Sequence, residues 1–356
     1  MTIFRRSADI GMMDRVFRLL VMISVLVMAP GALQARTFKI ATVSPDGLAW
    51  MKEFRAGIKE VEARTEGRVK FKLYPGGVQG DDYTVLRKMR IGQLQGGAVA
   101  ATALTRFYPD LQIYSLPLTF RSPAEVDYVR QRMDQRIIDG LSANGIVSFG
   151  LTETGFAYLL SKQPVNTLAD LQQMKIWMPD GDPIAAEMSK AFSVNPIPLL
   201  MTDVLAGLQT GLVEAVTVPP VVALALQWHN HVSYMVDVPL LYTYSMMMLD
   251  KKAFDGVSPD DQRVVHEVLG AVFSKVDRTT RIDNRSAFQA LVNQGVKLTE
   301  PTAAELATWR QHADVSIRGL IDNNTISPET LELLQRHLAE SRTVGAGGVD
   351  STLAGE

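Results

Sequence analysis

Hydrophobic and polar positions repeat with two different periods along the first part of the chain, which predicts strands and helices in turn. Thr37 to Val43 alternates as a strand does, and Leu48 to Thr65 carries apolar residues at the spacings of an amphipathic helix. Val69 to Tyr74, Tyr83 to Ile91 and Gly96 to Ala101 continue the order as strand, helix and strand. Since consecutive parallel strands need a crossover connection, this β-α-β-α-β order predicts a mostly parallel sheet.

The pattern continues through the middle of the chain and becomes helical in the last third. Met174 to Met178 is a predicted strand that stops before Pro179, and a helix from Asp182-Pro183 to about Phe192 follows it. Glu214 to Val218 is a further strand. Pro259 to about Asn293 keeps one apolar face almost without interruption, which predicts a helix of roughly 50 Å. Such a helix is longer than one small lobe and could brace two.

Length and composition suit a globular protein of two modest lobes. The chain has 356 residues, of which 47% are hydrophobic and 21% charged, and its formal net charge is -2. Nothing in this balance indicates nucleic acid as a partner. The chain has no Cys, which excludes disulfides, a catalytic thiol and thiolate zinc sites.

The N-terminal segment has the pattern of an export signal. Four arginines precede an apolar run from Leu19 to Ala29, and Pro30, Gly31 and the small residue Ala35 follow it. We expect residues 1–35 to be a cleavable signal peptide and the mature protein to be periplasmic. An uncleaved anchor is the alternative, although the apolar run is short for a membrane span.

Two blocks of sequence resemble a known family. Met174 to Lys190 (MKIWMPDGDPIAAEMSK) and Asp203 to Pro220 (DVLAGLQTGLVEAVTVPP) are similar to the signature region of the DctP-like solute-binding proteins of TRAP transporters. Weaker similarities extend the resemblance from about Phe38 to Gln262. They lie in four further blocks, at Arg87 to Gly97, Tyr114 to Arg121, Gly155 to Val165 and Lys251 to Gln262.

The resemblance implies a fold and a mode of action. It implies a two-lobed, type II periplasmic binding protein with mixed, mostly parallel sheets, hinge strands and a long helix across both lobes. It also implies a small-molecule ligand captured by hinge closure, and delivery to the small and large membrane subunits (DctQ-like and DctM-like) of a TRAP permease. We expect lobe 1 at 37–157 and 243–290, lobe 2 at 158–242, C-terminal helices at 291–343 and a disordered tail at 344–356.

Three positions depart from the family pattern in the same direction. The Arg that clasps a ligand carboxylate in the family is Trp177 here, and the Arg common after Gly-Phe is Ala157. The family's Asn-Pro is Val218-Pro219. The changes predict a substantially apolar or aromatic ligand. The alternative is an amphiphile, such as a monocarboxylate, whose acid end reaches Lys175 or Arg121.

Strand ends define the candidate site. Ligands of open α/β sheets bind at the carboxyl ends of strands, where Trp177 and Val218 are expected. Aromatic side chains elsewhere are candidate walls, although each also suits a hydrophobic core. The predicted ligand-binding residues are Trp177, Val218, Tyr158, Trp50, Phe120, Thr217 and Tyr242.

Other chemistry has little support in the sequence. His229 and His231 share a spacing that binds metal only on extended backbone, and no carboxylate completes a set. No acid/base pair or nucleophile motif emerges, so we expect neither an enzyme nor a cofactor. Two binding alternatives stay open: a carrier of lipid-like molecules with a helical-repeat periplasmic partner, and a sensory ligand-binding protein.

Overall fold

The computed structural model describes residues 35–105 and 107–349, with side chains up to residue 343. The predicted signal peptide, apart from Ala35, lies outside the described residues. So does the end of the predicted disordered tail, residues 350–356.

Within the described residues, eleven strands form the sheet framework. They are β1 (Arg36–Ala41), β2 (Val69–Tyr74), β3 (Gly96–Ala100), β4 (Ile146–Ser148), β5 (Thr152–Ser161), β6 (Ile176–Pro179), β7 (Pro196–Leu199), β8 (Ala215–Val218), β9 (Tyr234–Val236), β10 (Leu241–Asp250) and β11 (Lys297–Thr299). Their order is β2-β1-β3-β10-β5-β8-β6-β7, with β4 beside β10 and β9 between β5 and β11.

The α-helices of the described residues follow in chain order. They are α1 (Ala49–Arg64), α2 (Asp82–Arg90), α3 (Pro123–Ala143), α4 (Leu168–Gln173), α5 (Pro183–Phe192), α6 (Val204–Thr210), α7 (Pro220–Ala225), α8 (Lys251–Phe254), α9 (Pro259–Asn293), α10 (Ala303–Asp322) and α11 (Pro328–Val349). Within the part of the chain that the structure describes, no helix is both long and apolar enough to span a membrane.

Each parallel pair of strands lies within one half of the sheet. In one half β1 pairs with β2 and β3, and in the other β6 pairs with β7 and β8 while β9 pairs with β11. The antiparallel pairs all contain β5 or β10. The predicted α/β architecture with mixed, mostly parallel sheets is therefore confirmed, and the antiparallel exceptions are the strands that join the halves.

The strand β5 changes partner along its length. Its residues Thr152 to Ala157 pair with β10, whereas Tyr158 to Ser161 pair with β8. The change falls where we placed the boundary between the lobes, although the lobe limits themselves stay a prediction. Both β5 and β10 thus run through the junction of the two halves and are the hinge strands of the fold.

An irregularity interrupts β5 at this junction. Thr243 of β10 pairs with Gly155 and Tyr244 pairs with Glu153, so Thr154 has no partner in the register. Gly155 has φ +121°, a backbone conformation that a side chain disfavours. The sequence predicted separate strands at Ile146 to Thr152 and Tyr158 to Ser161. The structure instead continues β5 through the interval, because the glycine absorbs the distortion.

The long helix α9 begins and ends where predicted. The side chain of Ser258 accepts a hydrogen bond from the Asp261 amide, and Pro259 takes the first helical position. Its first part packs on α1, where a methyl of Val272 lies close to Gly57. Its end contributes Leu291 to the core of the other half. This one helix therefore braces both halves.

The last two helices lie one on each half. On α10, His312 contacts the carbonyl oxygen of Ala191 in α5 at 2.6 Å through its Nδ1. On α11, the Arg342 guanidinium pairs with Glu125 of α3 at 2.9 Å. The helix α11 continues to Val349, so the backbone of 344–349 is helical and the tail predicted to be disordered from Val344 is corrected over this stretch.

Candidate functional site

A cleft lies where the two halves meet, and it consists of two adjoining cavities of about 230 Å³ each. Ala100, Thr154, Met201 and Val222 line both. Ala100 ends β3, and Thr154 is the unpaired residue of the β5 irregularity. The cleft therefore sits at strand ends and at the hinge, as the fold rule for open sheets predicts.

The first cavity lies against the half that contains β1 and β3. Its walls include Thr42, Trp50, Asp82, Thr152 and Phe273. Trp50 is half-buried and stacks on Phe54 with ring centroids 6.3 Å apart. The wall is thus mostly apolar, with three carboxyl side chains and several hydroxyls.

The second cavity lies against the half that contains β6 and β8. Trp177, Thr217 and Val218 line it, together with Tyr244 from β10 and Trp309 from α10. The remaining wall is mostly aliphatic, with Met188 of α5 among its side chains. Such a lining is typical of sites for apolar ligands.

Trp177 is fixed by its neighbours rather than free in the cleft. Its side chain is 6% exposed, and its indole Nε1 donates a hydrogen bond to the Leu199 carbonyl at 3.0 Å. The ring packs edge-on against Trp228 with centroids 5.2 Å apart. Since the indole N–H is already used, Trp177 presents carbon rather than a hydrogen-bond donor to the cavity.

Four of the seven predicted ligand-binding residues line the cleft. Trp50 lies in the first cavity, and Trp177, Thr217 and Val218 lie in the second. Their contact with a ligand stays a prediction.

The other three predicted residues have structural partners instead. Tyr158 packs on Phe288 of α9 with ring centroids 5.4 Å apart. Phe120 is buried edge-on against Tyr242 at 5.7 Å. Tyr242 is buried as well, and its hydroxyl donates to Glu153 at 3.2 Å. None of the three lines either cavity, because large aromatic side chains fill the cores of the two halves.

The two candidate cations do not reach the cleft. Lys175 is exposed and donates from Nζ to the Gly211 carbonyl at 3.2 Å, and Arg121 lines a separate pocket beside α10 and α11. Among the residues that the structure describes, no Lys, Arg or His lines either cavity. The described part of the cleft therefore offers no cation to a buried carboxylate ligand.

Asp82 is the functional candidate that sequence reasoning missed. The neighbouring Asp81 caps α2 by accepting from the Thr84 amide at 3.0 Å, which leaves Asp82 free to face the cleft. Its Oδ2 accepts a hydrogen bond from the Ala100 amide at 2.9 Å, whereas Oδ1 has no partner within the described chain. Burial raises the pKa of Asp82 to about 7. The sequence signal that could have identified Asp82 is the pair of adjacent aspartates at the start of α2. Only one of the two can cap the helix, so the other is available for a different role.

A buried ionic network holds the hinge beneath the cleft. Arg130 of α3 donates to Asp277 of α9 at 2.9 Å, to Asp134 at 3.1 Å and to the Leu151 carbonyl at 2.7 Å. Arg281 of α9 donates to Glu153 at 2.8 Å. The network ties α3 and α9 to the start of β5.

The long helix also holds the irregular part of β5 directly. The Asn284 side chain donates to the Thr154 carbonyl at 2.7 Å and accepts from the Val221 amide at 3.3 Å. Asn284 thus joins β5 to the start of α7, one element from each side of the cleft.

Metal chemistry has no support in the part of the chain that is described, where no cluster of His, Asp and Glu suited to a metal ion occurs. His229 and His231 lie in a 3-10 turn, and His229 contacts the Ala223 carbonyl at 3.1 Å.

Two half-sheets joined by shared strands around a ligand-sized cleft define a two-lobed solute-binding protein. The chain belongs to the DctP family of bacterial extracellular solute-binding proteins (family 7), whose sequence profile matches residues 40–323. Family 7 proteins are binding receptors, so the prediction that the chain is not an enzyme is confirmed, as is the resemblance.

Known proteins of the same fold have named ligands. The 2,3-diketo-L-gulonate-binding periplasmic protein YiaO of Escherichia coli is 25% identical over 210 residues, which is 58% of this chain and 63% of YiaO. The sugar acid binding protein DctPAm of Advenella mimigardefordensis, in complex with galactonate, superposes with a TM-score of 0.79 at 20% identity, covering 86% of this chain and 99% of DctPAm. A TRAP periplasmic solute-binding protein of Desulfovibrio salexigens with bound orotic acid superposes with a TM-score of 0.77 at 18% identity. The match covers 86% of this chain and 99% of that protein.

Proposed function

We propose that the protein is the periplasmic solute receptor of a TRAP-type transporter and that its ligand is substantially apolar or aromatic. Family membership and the two-lobed fold support the receptor role. The ligand class rests on one observation, the apolar lining of the cleft around Trp177, whose polar atom is already bonded to Leu199.

The energetics of burial favour this ligand class. Covering about 300 Å² of apolar ligand surface supplies roughly 7 kcal/mol before ordering costs. Among the described residues a small acid anion would find no cation in the cleft, and a buried charge without a partner costs about 2–5 kcal/mol. Proteins of this fold with named ligands, such as galactonate and orotic acid, therefore differ from this chain in the chemistry that we propose for the site.

Capture would proceed by hinge closure. The lobes turn about β5 and β10, and the ligand is enclosed between the two cavities. The closed form would then be recognised by the small and large membrane subunits of the permease. A helical-repeat partner and a sensory role stay predictions without further support.

The ligand itself tests the proposal. Protein purified from its native host is denatured, and the released small molecules are identified by mass spectrometry. We expect a compound with a large hydrocarbon or aromatic part. Titration calorimetry with succinate and galactonate tests whether the protein binds small acids instead. A micromolar or tighter affinity for either acid would refute the proposal of an apolar site.

A variant pair assigns the binding to the cleft. Val222 lines both cavities, and Val222→Gln should weaken binding of the released compound at least about tenfold by placing a polar group in the apolar wall. Val78→Gln is the control, because Val78 is 69% exposed and lines neither cavity. Equal affinities for the two variants would place the compound elsewhere.

A further inference from the structure

We infer that the ligand carries a hydrogen-bond-donating head group, an ammonium in the strongest case, and that Asp82 receives it in the first cavity. The inference rests on the proposed receptor function and specifies the polar end of its ligand. Among the described residues, every charged side chain that lines the cleft is a carboxyl. They are Asp82, Glu153 and Asp283 in the first cavity and Asp182 in the second.

Three of these four carboxyls are otherwise occupied or exposed. Glu153 accepts from Arg281 at 2.8 Å and from the Tyr242 hydroxyl at 3.2 Å. Asp182 caps α5 by accepting from the amides of residues 184 and 185. Asp283 is exposed on α9. Asp82 alone combines a place in the cavity wall with a buried oxygen that lacks a partner within the described chain.

A second polar group in the wall of the first cavity also lacks a hydrogen-bond partner among the described residues. Thr152 is 6% exposed and lines the same cavity, and its hydroxyl has no hydrogen-bond partner among the described residues. Buried polar groups in native proteins are rarely left without partners. Hydrogen-bond donors of a ligand could satisfy these oxygens, since a carboxylate only accepts and a hydroxyl also accepts.

The second cavity contains two hydrogen-bond donors that could favour a ligand with a carboxylate. Tyr244 and Trp309 are 2% and 0% exposed, line this cavity, and have a hydroxyl and an indole N–H without hydrogen-bond partners among the described residues. A carboxylate there would share the cavity with Asp182 and meet no cation from the described residues. Since hydrogen bonds from two neutral donors do not replace a counter-ion, a neutral oxygen of the ligand suits these groups better.

Proton linkage gives the inference a distinctive signature. Burial and the charge of the adjacent Asp81 raise the pKa of Asp82 to about 7. The other titratable groups of the same cavity, Glu153 and Asp283, are also acids. An ammonium beside Asp82 would lower its pKa, so binding at pH 7 should release protons. A carboxylate ligand would raise that pKa further, and its binding should take protons up.

The experiment uses matched probes on one aromatic frame. Tryptamine, tryptophol and indole-3-propionate present an ammonium, a hydroxyl and a carboxylate, and each is titrated into ligand-stripped protein at pH 7. Calorimetry in buffers of different ionisation enthalpy gives the affinity and the number of protons exchanged. We expect tryptamine to bind at least about tenfold more tightly than indole-3-propionate, with proton release, and tryptophol to fall between them.

The variant Asp82→Asn identifies the receiving group. It should weaken tryptamine binding about tenfold, abolish the proton release and change tryptophol binding by less than about threefold. Asp260→Asn, at a side chain that is 87% exposed, is the matched control and should change none of these values. Circular dichroism verifies that both variants are folded.

The two proposals fail in different ways. Tighter binding of the acid than of the amine, or proton uptake, would overturn the head-group inference and leave the apolar receptor standing. Unchanged tryptamine binding by Asp82→Asn would also overturn it. Absence of binding by all three indoles, together with tight binding of succinate or galactonate, would overturn the proposed ligand class and this inference with it.

Discussion

Replacing Arg130 with Met tests whether the buried network at the hinge stabilises the fold. Arg130 is 8% exposed and makes hydrogen bonds to two carboxylates, to the Tyr242 hydroxyl and to the Leu151 carbonyl. Met fills a similar volume without charge or donors. The substitution therefore leaves Asp134 and Asp277 close together without their shared cation.

The size of the effect follows from how far these carboxylates are buried. Breaking a fully buried ion pair by removing one partner costs about 3–5 kcal/mol. The side chains of Asp134 and Asp277 are 26% and 28% exposed, so water recovers part of that cost. We expect Arg130→Met to lower the free energy of unfolding by about 3 kcal/mol.

Urea unfolding followed by tryptophan fluorescence and circular dichroism measures this value. Arg263→Met is the control, because Arg263 and its partner Asp260 are 74% and 87% exposed and such surface pairs contribute about 0–1 kcal/mol. A loss below about 1 kcal/mol for Arg130→Met, or one equal to that of the control, would show that the network does not stabilise the hinge.

Three further substitutions address the cleft and its hinge. Folding raises the pKa of Asp82 from 3.8 to about 7, so the stability of the wild-type protein falls as pH rises between these values. In denaturant unfolding, Asp82→Asn should therefore be more stable than the wild type by about 1–3 kcal/mol at pH 8 and equally stable near pH 3. Gly155→Ala should lower the melting temperature and weaken ligand binding, because a side chain at φ +121° is strained and would meet the Asn284 amide; unchanged values would refute the tight fit. Trp177→Phe removes the hydrogen bond to Leu199 and should cost about 1–3 kcal/mol of unfolding free energy, whereas no loss would mean that the indole N–H contributes nothing.

Features with local chemical signals could be predicted from the sequence. The limits of α9 follow from a serine cap, a proline and one apolar face, and Asp182 caps α5 as its position before Pro183 indicates. The placement of Trp177 and Val218 in the cleft walls follows from strand ends.

Features that depend on distant partners could not be predicted. The burial of Tyr242 is decided by Arg130 and Glu153, which lie far from it in the chain. The irregularity at Thr154 depends on the register with β10 and on Asn284 of α9. The sequence pattern of β5 carries no sign of either contact, so the hinge and its wall residue appear only in the folded chain.

The two strands shared by the lobes also limit the order in which the chain can fold. On one side β3 pairs only with β10, in a register that places Val99 opposite Met246. The first half of the sheet therefore cannot be complete until β10 has joined it. Neither lobe can finish forming from the residues of its own early segments. Folding thus depends on contacts between distant parts of the chain, which makes it slow, and we expect the lobes to unfold together in one cooperative transition.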